Sequence, residues 1–133
     1  MPQYKLTRDG DAPLSFTGEQ IATATTREQQ GDGQNRWHEV AVYQTAGGKY
    51  IIEIQFCTQW QGESGTREAH VESDLAGVAE CLKSTIIIPT GIGYPPMPQY
   101  AEKQARAEAS LRRRWDALVG EILAEIGAEE KIE

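Results

Sequence analysis

The residues best equipped for chemistry are few: two histidines, His38 and His70, two cysteines, Cys57 and Cys81, and an arginine run, Arg112-Arg113-Arg114. By count the histidines and cysteines would supply a Cys2His2 metal site. Structural zinc sites bring their ligands in closely spaced pairs, and these four residues are scattered. His70 stands between Glu68 and Glu72 at alternate positions that share one strand face. Such a cluster would bind a metal or move a proton; the plainer reading is a wetted polar face. Cys57 with a histidine would make a nucleophile pair, but no Gly-flanked elbow surrounds it. Gly31-Asp32-Gly33 and Thr90-Gly91-Ile92-Gly93 lack the remaining residues of a phosphate-binding loop. No catalytic residue, metal ligand or cofactor is therefore expected.

The arginine run follows Lys103 and Arg106 on what reads as a helix. Three consecutive residues fan around most of a helix and cannot form one flat patch. Glu108 and Asp116 offset part of their charge, so a solvated face with local ion pairs is the plain reading, and an anion or nucleic-acid contact the functional one. The aromatic residues Trp37, Tyr43 and Trp60 matter more. Trp37 and Tyr43 fall on the strand face opposite Val40 and Val42, and Trp60 sits in the adjacent loop. If that face is covered, they are core. If it is open, they form a stacking platform for a ligand, partner or unpaired base. Core or dimer contact is the expectation, because large exposed apolar patches are uncommon on monomers.

The elements that position these residues follow from patterning. Val40 and Val42 alternate with Glu39, Ala41 and Tyr43, and after Ala46-Gly47-Gly48 the residues Tyr50, Ile52, Ile54 and Phe56 alternate with Ile51, Glu53, Gln55 and Cys57, which marks two half-buried antiparallel strands. One face must collect the apolar set, so Val42 should oppose Ile52 and Val40 oppose Ile54. That register leaves a three-residue loop with a glycine for its left-handed position. A two-residue turn would set Val42 against Glu53. Ile21 to Thr26 reads as a further strand, with Leu14-Ser15-Phe16 pairing to it, and 67–72 as another, with Ala69 and Val71 inward. The cluster at 31–35 is a turn and 61–65 a loop.

Ser73-Asp74 is a helix start, Ser73 capping, ahead of Leu75, Val78, Ala79 and Leu82 at helical spacing. Ile86-Ile87-Ile88 is suited to a short strand. Gly and Pro then break regular structure up to Pro98. The last helix, Pro98 to about Gly127, has a polar first half and an apolar stripe of Leu111, Trp115, Leu118, Val119, Ile122 and Ile126. That stripe must pack on the sheet or on a second copy of itself.

The expected fold is α+β: an antiparallel meander sheet of four to five strands, one short helix and a long C-terminal helix. Residues 1–13 are read as a flexible N-terminus, 14–88 as the α+β core, 89–97 as a Gly/Pro linker and 98–133 as the C-terminal helix of the same domain. The chain has 133 residues, enough for one hydrophobic core, with 39% hydrophobic and 25% charged residues. The formal charge of −7 argues against wrapping duplex DNA and suits a basic partner surface. No apolar run approaches the roughly 18 residues of a membrane span, and the N-terminus lacks a secretory signal. A cytoplasmic protein that does not engage membranes is expected.

The segments Phe16–Ala22, Arg36–Thr45 and Gly47–Ile52 resemble a group of small uncharacterised bacterial proteins of accessory or mobile-element gene sets. That resemblance implies no activity. The order of strands followed by a helix is similar, at the level of fold, to the Whirly and PC4-like binders of single-stranded nucleic acid.

These observations point to a non-enzymatic binding or protein-interaction module of a bacterial accessory system. It would be a homo-oligomer or dock a protein partner through the C-terminal helix, with Trp37, Tyr43, Trp60, Arg67 and Trp115 as binding residues. One alternative is a single-stranded nucleic-acid binder using Arg36, Lys49, Arg67 and the arginine run. Another is an acidic inhibitor of a nucleic-acid-handling complex, in which Glu39, Glu53, Glu68 and Glu72 mimic phosphates.

Overall fold

A computed structural model describes residues 1–27, 36–59, 62–87 and 97–128. Five strands, β1 (Gln3–Arg8), β2 (Asp11–Thr25), β3 (Arg36–Thr45), β4 (Tyr50–Thr58) and β5 (Thr66–Glu72), pair in sequence order into one antiparallel sheet. Two helices follow: α1 (Leu75–Ser84) and, after a 3-10 turn at Pro98–Tyr100, α2 (Ala101–Glu125). The α+β meander with a short and a long helix is the architecture the patterning predicts.

The central hairpin has the expected register, with Val40 opposite Ile54 and Val42 opposite Ile52. Gly48 takes the left-handed position of its three-residue loop at φ +85°. The loop closes through Thr45, whose N–H donates to the Lys49 carbonyl at 2.7 Å and whose hydroxyl accepts from the Lys49 N–H at 3.0 Å.

One sheet face carries Ala22, Val40, Val42, Ile52 and Ile54, and both helices lie on it. From α1 come Val78 and Leu82; from α2 come Leu111, Trp115, Leu118, Val119 and Ile122. The α2 stripe therefore packs on its own sheet rather than on a second copy. Burying each such side chain contributes about 1.5–3 kcal/mol, which holds a helix that would be marginal alone. Asp74, not Ser73, caps α1, accepting from the Gly77 N–H at 2.7 Å. Gly127, at φ +79°, ends α2: its N–H reaches the Ala124 carbonyl and that of Ala128 the Leu123 carbonyl, a Schellman closure.

The N-terminal region departs from expectation. Residues 3–8 form a paired strand where a flexible end is expected, and Leu14-Ser15-Phe16 pair with β1, not with Ile21–Thr26. The two segments belong to a single 15-residue strand. A bulge between Gln20 and Ala22 bends it, and Gly18 lets the bent strand press against β3: a Cβ there would collide with the Gln44 carbonyl oxygen. The bend folds the β1–β2 hairpin across the second sheet face, where Leu6, Leu14 and Phe16 pack with Ala41, Tyr43, Ile51 and Ala69. At the far end the Asp9 N–H donates to the Arg67 carbonyl at 3.0 Å, and the Asp9 carboxylate accepts the Arg67 N–H at 2.8 Å. The sheet is thereby curled into a half-barrel.

Ile86 and Ile87 are not a strand; Ile87 is buried and Ile86 is 79% exposed. Ala69 is buried as expected, but Val71, near the sheet edge, is 46% exposed. The expected turn at 31–35 and most of the expected linker at 89–97 lie outside the described residues.

Candidate interaction surface

The Tyr43 end of the second sheet face is covered by the β1–β2 hairpin and by neither helix, while Glu39, Glu53 and Gln55 farther along it line an open pocket. Tyr43 is 5% exposed and sits in a ring cluster, 4.7 Å from Tyr4 and 5.3 Å from Phe16 between centroids. Burial, with Glu53 3.4 Å from its hydroxyl, pushes Tyr43 up to about 12, so it stays a neutral donor. Trp37 is buried at the other end of this face with the Arg27 guanidinium 4.6 Å from its ring centroid. Its indole N–H has no partner among the described residues. Both aromatics are core in this arrangement, and no open stacking platform forms from them.

Trp115 is 0% exposed, its indole N–H donating to the Leu82 carbonyl at 3.2 Å. Trp60 lies outside the described residues. Arg67 is exposed at the sheet edge. The four described members of the sequence-derived binding set, Trp37, Tyr43, Arg67 and Trp115, are thus not brought to one surface.

The candidate cationic set disperses likewise. Arg36 is buried in an ion pair with Glu63, its Nε 2.9 Å from Oε1, and Thr58 donates to the same oxygen at 2.9 Å. Arg114 is buried too, donating to the Arg36 carbonyl at 3.2 Å; burial and the neighbouring Arg113 lower its pKa. Arg112 pairs with Asp116 at 3.4 Å on the surface. The acidic set is split: Glu39 and Glu53 share the hairpin-covered face, while Glu68 and Glu72 share the helix-covered one. A single phosphate-like array does not form from these four.

The reactive side chains are quiet. Burial, helped by Glu39, pushes the Cys57 thiol up to about 11, and burial with Glu72 and Glu68 does the same for Cys81. Both are poor nucleophiles near neutral pH. His70 lies 3.2 Å from Glu68, partly exposed. No group of three or more metal-binding side chains occurs among the described residues. His38 is fully buried between Phe56 and Trp115, its Nε2 3.1 Å from the Ile87 carbonyl and its Nδ1 without a partner among the described residues. Burial lowers it to about 4, with the nearby Arg114 adding to the effect. It is a neutral core ring.

Among the described residues, the most exposed large apolar side chain, Ile86, lies beside the start of α2. The first ten residues of α2, Ala101 to Ser110, contain no buried residue. This overhang borders an open groove of about 470 Å³, lined chiefly by Ile86, Ile87, Ala105, Glu108, Ala109 and Arg112. Sequence reasoning recognised the polar character of this half but missed the groove. Its only signal was the Ile triplet, which resembles a strand. Among the described residues no helix is long and apolar enough to cross a membrane. Comparison with protein-family models, curated proteins and solved structures finds no match.

Proposed function

We propose that this chain is a non-enzymatic protein-interaction module that docks a partner protein on the first half of α2 and the adjoining Ile86 groove. The observation that carries the reading is the overhang: ten helical residues with none buried, beside a 79% exposed isoleucine. The fold leaves the exposed face of this segment without an internal use, and a partner laid in the groove would cover both that face and Ile86. The raised thiols and the neutral buried histidine support a role without chemistry at these groups. Burial of Arg36, Arg114, Trp37, Tyr43 and Trp115 removes much of the surface a single-stranded nucleic-acid binder would use.

Site-specific photo-cross-linking tests this. A benzophenone amino acid at Ala105, introduced in the source cells, should give a discrete adduct that Ile86→Asp abolishes, while one at Gly47 in the β3–β4 loop should not. Equal labelling from both positions, or none from Ala105, would remove the proposal.

A further inference from the structure

We infer that the occupant of this groove is a second copy of the chain, docked helix against helix about a twofold axis. The inference rests on the docking reading above and adds the partner. Glu102, Ala105, Ala109 and Arg112 are all exposed and fall at spacings of three, four and three, which is one helix face. Three of the four line or adjoin the groove.

This face is complementary to itself. When two such helices run antiparallel, centred on residue 107, Glu102 meets Arg112 of the other copy at each end, and Ala105 meets Ala109 in the middle. A parallel arrangement in register would instead set Glu102 against Glu102 and Arg112 against Arg112. The alanines permit axes at the near end of the usual range, about 8 Å. Ile86, beside the groove, would then cover the partner's alanines. Arg112 already gives its Nε to Asp116 at 3.4 Å, and the guanidinium has further donors for the partner's carboxylate. A short seam of this kind fits a weak, reversible dimer.

The test uses the full chain. Sedimentation and light scattering from micromolar to millimolar concentration should show a monomer–dimer equilibrium. Glu102→Arg and Arg112→Glu should each weaken it about tenfold by opposing like charges at both ends, with helical circular dichroism unchanged. Mixing the two variants should restore association, since each charge reversal meets its complement; native mass spectrometry with one variant isotopically heavy would register the heterodimer. A strict monomer at millimolar concentration overturns self-pairing, as does a dimer indifferent to both reversals or a mixture that fails to recover. A non-self adduct from Ala105 would uphold docking while overturning this occupant; no adduct there would remove the docking reading itself.

Discussion

The two halves of α2 belong to one unbroken helix and have opposite surroundings. From Leu111 to Ile122 it lays a stripe on the sheet, with Trp115 wedged between Leu82 and the His38 ring. From Ala101 to Ser110 it has no buried residue at all. The composition changes with the surroundings: branched and aromatic residues in one half, alanine and alternating charge in the other. Helical propensity is shared by both, so propensity does not distinguish a helix that holds a fold together from one that is extended for another purpose. Burial does.

The comparison is broken most sharply at Trp115. Trp115→Ala should cost about 3–5 kcal/mol in urea unfolding; a loss below 1 kcal/mol would mean that the C-terminal half is not the anchor. Next comes acid. His38 has a folded pKa of about 4, below its ordinary value of 6.5. Its stabilising contribution is complete above pH 6.5 and is lost as pH falls toward 4, because the unfolded chain takes up a proton that the folded core refuses. The loss is on the order of 3 kcal/mol, and His38→Met should flatten that part of the stability profile. Arg114→Met, which removes the buried hydrogen bond that Arg114 gives to the Arg36 carbonyl, should cost about 1–3 kcal/mol by the same unfolding measurement. The smallest effect belongs to the overhang: Ala105→Gly should cost at most about 1 kcal/mol. In dilute protein, amide exchange should be fast over 101–109 and slow over 115–122, sharpening the contrast residue by residue.

Much of the fold was legible because it rests on local periodicity. The Val/Ile alternation around the diglycine bend sets the β3–β4 register, and the α2 stripe identifies the face that meets the sheet. Legibility stopped where one strand serves two partners. Nothing in the polar look of residues 1–13 announces a strand, because β1 is stabilised by Tyr4 and Leu6 meeting residues distant in sequence, Tyr43 and Ala69. The same blind spot affected the site. Trp37 and Tyr43 do lie opposite the Val/Ile face, as the alternation requires. Whether that face is open depends on a bulge and on Gly18, which periodicity does not encode. Trp115 was visible as part of a stripe but not as a residue wholly inside it. The exposed Ile86 was hidden in a triplet that local preference assigns to a strand.

The contact of Asp9 with Arg67 has a bearing on colloidal behaviour. An open sheet leaves two borders whose dangling amides and carbonyls recruit strands from other molecules, the first step toward fibrils. Here the bent hairpin brings one border round to the other at this corner, so each occupies part of the other's bonding capacity. Shortening or loosening that corner would free both borders together and give the chain a route to strand-by-strand polymerisation that its curled form suppresses.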